Sequence, residues 1–186
     1  MIILDLCGGT GNWSKPYQDA GYKVVIVDPL YGLDVLTFDP PQKVHGILAA
    51  PPCTEFAGSG ARWWAEKPPE LLINATEIIR ACLRIVQQTT PKWWVLENPV
   101  GRLARSVPEL GKWNHTFQPW EYGDPWTKRT CLWGDFVMPT KTPVEPIRYC
   151  EQGSWTQRLG GKSEKTKRLR SMTPLGFAGA FFRANP

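Results

Sequence analysis

Histidine is scarce in this chain, with two in 186 residues, and the five cysteines (7, 53, 82, 131 and 150) form no CxxC pair. That pattern supports neither a tetrahedral zinc site nor a disulfide framework, so no metal is expected and the chain reads as reduced and cytoplasmic. No apolar run approaches the roughly 18 residues of a membrane span, and no membrane association is expected. The first apolar stretch, Ile2–Leu6, has no basic leader and is too short for a signal peptide. Glycine and proline, at 17 and 18 residues, stay below the level of low-complexity sequence. What is present is an ordinary globular balance, 42% hydrophobic and 21% charged. The length is that of one compact domain, residues 1–186, able to bury a core unaided.

The net charge of +5 is unevenly spread. From Lys141 to Arg170 there are eight basic and three acidic residues, so the whole excess falls in that stretch. Such a patch is the electrostatic footprint of a polyanionic partner, or else a solvated lysine-rich loop.

Strand and helix signals alternate. Ile2–Leu6 and residues 23–28 are short apolar runs rich in β-branched residues, read as buried strands. Residues 13–20 read as a short helix stopped by Gly21. Residues 34–38 and 45–50 read as a third and a fourth strand. Apolar residues recur with a helical period over 70–88, with Pro69 suited to the first turn. Residues 93–96 give a fifth strand and 130–133 a further one, while 139–161 reads as loop. The alternation implies an α/β domain around a mainly parallel sheet. Ligands of such sheets bind outside the carboxyl ends of the strands, which is where Cys7–Gly11, Asp28, Asp34, Pro51–Cys53 and Glu97–Pro99 fall.

Gly9-Thr10-Gly11 directly follows the first strand, where small residues let a ligand approach the backbone. Asp28 ends the second strand and is placed to accept hydrogen bonds from ribose hydroxyls. The third glycine of a dinucleotide fingerprint is replaced by Ser14, which favours S-adenosylmethionine over a cofactor whose pyrophosphate needs the helix start. After the fourth strand, Pro51-Pro52 hold Cys53 on a stiffened backbone. Glu97 ends the next strand, so a thiol and a carboxyl flank one crevice.

These segments together resemble the cytosine-C5 DNA methyltransferases. Asp5–Ser14 resembles the first cofactor motif of that family, and Pro51-Pro52-Cys53 with Phe56 resembles its nucleophile loop. Glu97-Asn98 is similar to its acid motif, and Tyr122-Gly123-Asp124-Pro125 through Lys128-Arg129 to its basic motif. Arg170–Pro174 is similar to a motif near its C-terminus. The five fall in the family's order. Departures include Thr54, Ala57, Pro99, Trp126 and Thr130, and the stretch between Phe136 and Arg170 is too short for the family's large target-recognition region. In that respect the chain is similar to phage-encoded methylases.

The resemblance implies a Rossmann-like class I methyltransferase fold, a mainly parallel sheet with helices on both faces. It implies S-adenosyl-L-methionine as methyl donor, with Asp5 among its contacts, Gly9 and Gly11 near the methionine moiety, Asp28 at the ribose, Asp34-Val35 near the adenine, and Pro51 behind the cofactor or target pocket. It implies DNA as partner, as duplex with a flipped cytosine or as single strand, in a prokaryotic or phage-infected cytoplasm. Cys53 then acts as nucleophile on cytosine C6 and Glu97 as the acid at N3. Arg129 or Lys128 holds the base carbonyl and favours the thiolate. Asn98 and Arg62 join the substrate contacts, and the basic segment at about 139–170 contacts DNA phosphates. Arg62, Trp63 and Trp64 lie on the loop expected to close over the base, whereas Trp93, Trp94, His45 and His115 read as structural. Two alternatives stand: a C5 methylase of a free cytosine nucleotide, and a non-catalytic DNA-binding relative. An amino-methyltransferase ranks lower because position 53 is cysteine.

Overall fold

The computed structural model describes residues 1–148, 151 and 163–186, with the side chains of Glu164, Lys165, Lys167 and Arg168 excepted. Six strands form one sheet: β1 (Ile2–Leu6), β2 (Lys23–Val27), β3 (Gly46–Ala49), β4 (Trp93–Pro99), β5 (His115–Phe117) and β6 (Thr130–Asp135). Their order is β2-β1-β3-β4-β6-β5. The first four strands run parallel; β6 pairs antiparallel with β4 and with β5. The sheet is therefore mainly parallel with an antiparallel edge. The chain leaves β1 in opposite directions toward β2 and β3, which makes the carboxyl end of β1 the point where a ligand crevice opens.

Pleating sends alternate residues to two cores. Leu4, Leu6, Ile47, Ala49 and Leu96 pack with Ile79 and Ile85 of α2 (Pro69–Thr89) and Leu103 of α3 (Leu103–Ser106). Ile3, Leu48, Val95 and Leu132 face the other way, onto Tyr17 of α1 (Lys15–Asp19) and Phe177 and Phe181 of α5 (Leu175–Ala184). Helices thus cover both faces, which is why the central strands read as continuous apolar runs. The chain folds as a Rossmann-like α/β domain. The α5 face is aromatic: Phe117 and Phe177 stack at 3.8 Å, and the Tyr17 hydroxyl donates to the Asn185 carbonyl at 2.8 Å. His45 Nε2 lies 2.8 Å from the Pro186 carbonyl, a structural contact.

Several expectations are corrected. Residues 34–38 are a turn, not a strand. The Asp34 carboxylate accepts from Leu36 N at 2.9 Å and its carbonyl from Thr37 N at 3.1 Å, a local closure that competes with strand pairing. The helix expected over 13–20 spans only Lys15–Asp19, because the positive-φ turn runs through Gly11 and Ser14 is the N-cap. β4 runs on to Pro99 because β6 pairs with Glu97, Asn98 and Pro99. β5, α3, α4 (Glu164–Ser171) and α5 were not foreseen. The expected loop over 139–161 shows no regular element over 139–148; apart from Glu151, the rest lies outside the described residues.

Candidate active site

At the end of β1 the backbone turns sharply. Cys7, Gly9 and Gly11 all adopt positive φ, at 56°, 52° and 71°. Cys7 has a side chain in a conformation that usually needs glycine, a local strain the surrounding fold must offset. The Asp5 carboxyl lies beneath this turn, with Oδ2 accepting from the Ser14 hydroxyl at 2.5 Å. A Cβ on Gly8 would come within 2.5 Å of Asp5 Cγ, so the turn closes this tightly only with glycine there. Asp28 accepts from Gly9 N and Leu30 N, each at 3.0 Å, and keeps lone pairs on both oxygens.

A cavity of about 40 Å³ opens on this turn, lined by Asp5, Gly9, Trp13, Ala50, Ser171 and Thr173 among others. Two buried polar atoms of its lining residues have no hydrogen-bond partner: Asp5 Oδ1 and Trp13 Nε1. Burial pushes the Asp5 carboxyl up to about 7, the Ser14 hydrogen bond opposing and the Asp28 charge adding to the rise. Val35 is buried with Val27 and Leu6 in the α2-side core, while Asp34 is exposed and engaged in its own turn.

β3 delivers the loop that carries Cys53. The Cys53 carbonyl accepts from Phe56 N at 2.9 Å and Ala57 N at 2.8 Å, and Phe56 is fully buried. The segment after β4 fastens this loop. Asn98 Nδ2 donates to the Pro51 carbonyl at 3.1 Å, Gly58 N to the Val100 carbonyl at 2.9 Å, and Arg102 N to the Phe56 carbonyl at 2.9 Å. Arg102 Nε adds a bond to the Glu55 carbonyl at 2.7 Å. A Cβ on Gly101 would fall 1.8 Å from the Phe56 oxygen, so the two segments touch backbone to backbone. Lys67 closes the far side through Glu55 at 2.8 Å.

Cys53, Glu97 and Lys128 share one electrostatic environment. Burial pushes the Cys53 thiol up; Lys128 opposes this, the Glu97 charge adds to it, and Arg170 opposes it. Burial likewise raises the Glu97 carboxyl, with Lys128 opposing, and Glu97 Oε2 is buried without a hydrogen-bond partner. The loop bearing Lys128 is held by a reciprocal cap. Gln118 N donates to Glu121 Oε2 at 2.7 Å, and Lys128 N donates to Gln118 Oε1 at 2.9 Å. Arg129 is exposed and acts instead on Cys131, whose thiol burial pushes up to about 11. Of the two adjacent cations, Lys128 is the one whose charge acts on both Cys53 and Glu97.

Arg62 lies 3.9 Å over the exposed Trp63 ring on a 3₁₀ segment (Gly58–Glu66), and Arg102 lies 4.4 Å over Trp64. Trp93 is core, facing Gly46 closely enough that a Cβ there would sit 2.1 Å from its ring. Trp13 and Thr173 at the cavity, and Arg170 near Cys53, were not singled out in the sequence. Trp13 follows the glycine turn directly, and Arg170 and Thr173 sit in the last of the five motifs, so a signal existed for each. Among the described residues no group of three His, Cys, Asp or Glu could hold a metal, and no helix is long and apolar enough to cross a membrane.

The fold is that of a Rossmann-like α/β domain, with a crevice at the carboxyl ends of its parallel strands. The chain is similar to the type II methyltransferase M.DdeI of Desulfomicrobium norvegicum, 28% identical over 56% of this chain and 29% of that protein. It therefore spans less than a third of the relative's length. No family model matches the chain. A crystal structure described as a candidate DNA modification methyltransferase encoded within an E. coli prophage shares the fold. Its TM-score is 0.51 at 16% identity, covering 78% of this chain and 53% of that one.

Proposed function

We propose that this chain is a catalytic domain that transfers a methyl group from S-adenosylmethionine to C5 of cytosine in DNA. The observation that carries the reading is that the loop leaving the glycine-turn cavity at Ala50 bears Cys53 and is tied by Asn98 to the strand bearing Glu97, with the charge of Lys128 acting on both.

The cavity residues fit the proposed cofactor. Asp5 Oδ1 is an unfilled acceptor and Trp13 Nε1 an unfilled donor, both buried. That pair matches the ammonium and carboxylate of an amino-acid end, and a cavity of about 40 Å³ has room for roughly three water-sized groups. Asp28 would take the ribose hydroxyls on its remaining lone pairs, and Val35 would back the adenine. When bound, S-adenosylmethionine supplies an electrophilic methyl group.

The chain's own residues prepare the base. The Cys53 thiolate adds to C6, forming a carbon–sulfur bond and moving an electron pair toward C5. Neutral Glu97 donates to N3 and so favours that addition. Lys128 stabilises the thiolate against the cost of burial. C5 then carries the new methyl group, its proton leaves to a base, and the Cys53–C6 bond breaks to restore the thiolate. Asn98 ties the strand bearing Glu97 to the loop bearing Cys53. Arg62 and Trp63 are exposed on the segment after Cys53 and would meet the DNA from which the base has left.

The test gives purified protein labelled S-adenosylmethionine with duplex DNA, single-stranded DNA or dCMP, and identifies the product nucleoside by mass. Label in DNA as 5-methylcytosine is expected, abolished by Cys53→Ser with DNA binding retained. Undiminished methylation by Cys53→Ser would overturn the mechanism. Label in dCMP alone would favour a nucleotide methylase.

A further inference from the structure

A second cavity, of about 150 Å³, adjoins the first. Two segments distant in sequence build it: Trp126 and Lys128 before β6, and Arg170, Met172 and Thr173 around the end of α4. Thr173 borders both cavities, so the second lies next to the proposed methyl donor site. It also lies next to the nucleophile, because Lys128 and Arg170 are the two side-chain cations that oppose the burial of the Cys53 thiol. Two cations therefore converge here. Asp124 is the acidic residue of this lining, and its Oδ2 already accepts from Gly176 N at 2.8 Å, at the start of α5. The wall is left net positive.

The Cys53 thiolate is one anion against two cations, and a cytosine ring is neutral and adds none. The group that a target base brings with it is its phosphodiester. The volume has room for roughly ten water-sized groups, more than a phosphate requires.

We propose that Lys128 and Arg170 grip one backbone phosphate next to the base presented to Cys53, from opposite segments of this cavity. The proposal rests on the reading of the chain as a nucleic-acid methyltransferase and deepens it. It also separates Arg170 from the rest of the basic stretch over 141–170. In that stretch Lys141 is already paired with Glu121 at 2.5 Å, whereas Arg170 lines a cavity the fold has built. The planar guanidinium can give two parallel bonds to one phosphate, and the ammonium of Lys128 a third from the other side.

The experiment measures binding of a fluorescein-labelled mixed-sequence duplex, and of its single strand, by anisotropy across a salt series. Arg170→Gln is expected to weaken binding about tenfold. It should lower the slope of log affinity against log salt by about one, and Arg170→Lys should keep that slope. Lys128→Gln should act alike. Lys128→Gln combined with Arg170→Gln should lose less than the sum of the single losses, because both cations hold one group. An unchanged slope in Arg170→Gln, or fully additive losses, would overturn the shared grip. The thermal shift given by S-adenosylmethionine should be the same in every variant, which separates a lost contact from a lost fold. The readout is independent of the methylated atom. If the wild type binds DNA but yields no 5-methylcytosine, the C5 reading fails while the slopes still decide the grip. If the wild type does not bind DNA, both fall.

Discussion

Asn98 donates a hydrogen bond of 3.1 Å to the carbonyl of Pro51, and that bond joins the strand bearing Glu97 to the loop bearing Cys53. Asn98 is fully buried and neighbours Glu97 on β4, while Pro51 lies two residues before Cys53. Asn98→Ala leaves a buried carbonyl without its donor, at a cost of about 1–3 kcal/mol. The expected outcome is a lower melting temperature and a fall in kcat for DNA methylation, with KM for S-adenosylmethionine little changed. A fall in stability with kcat intact would reduce Asn98 to a structural bond.

Glu97 sets a pH signature. Its carboxyl and the Cys53 thiol are both raised by burial, so the form with a neutral carboxyl and a thiolate is a minor one. The rate should rise with pH up to the pKa of Glu97, stay level, and fall above the pKa of Cys53. Glu97→Gln removes the ionising acid. It should lose about 10²–10⁴ in turnover and should no longer show the alkaline fall. A pH–rate profile of the two proteins under saturating cofactor checks this.

Asp5 makes stability depend on pH. Its carboxyl is raised from 3.8 to about 7, so between those values the folded state holds a proton the unfolded state has released. Stability is therefore full below about pH 4 on this account and falls as pH rises toward 7, by up to about 4 kcal/mol. Asp5→Asn keeps an acceptor for Ser14 and should flatten that dependence in urea titrations. It should also weaken S-adenosylmethionine binding at pH 7, through the lost partner for an ammonium.

Gly101 is a contact point between backbones. An added Cβ would meet the Phe56 carbonyl oxygen at 1.8 Å, and backbone cannot yield as a flexible side chain can. Gly101→Ala should push the Cys53 loop away from β4 and lower kcat more than Gly46→Ala does. Gly46→Ala presses on the Trp93 ring in the core and should act mainly on stability, by about 1–3 kcal/mol, read as a lower melting temperature. Comparing kcat per folded molecule in the two variants separates the effects.

The strands of the first half were legible because each is an apolar run closed by glycine, proline or an acid, and burial on both faces removes any need for alternation. The turn over 34–38 was misread as a strand because Val35 and Phe38 are apolar, yet the Asp34 side chain closes the backbone on itself. β5, α3 and α4 are short or charged. α5 carries aromatics at 177, 181 and 182, a helical spacing in a stretch left unassigned. Which of two adjacent cations acts on Cys53 depends on the loop between the Gln118–Glu121 cap and the β6–β4 pairing, neither visible in a local pattern.

By itself the sequence determined that this is an α/β domain with a glycine turn, an acid after the second strand, a cysteine in the loop after a later strand and a glutamate toward the end of the next. Those are local facts, written in hydrophobic runs and in residues that punctuate them. Only the tertiary structure decided that the charge of Lys128, rather than that of Arg129, acts on the Cys53 thiol. It also decided that the cavity-lining residues Asp5 and Trp13 each keep a buried polar atom unfilled, and that Arg170 joins Lys128 in lining a second cavity. These depend on burial and on contacts between segments separated by tens of residues. The electrostatic and desolvation terms that give such groups their chemistry exist only once the chain has closed around them.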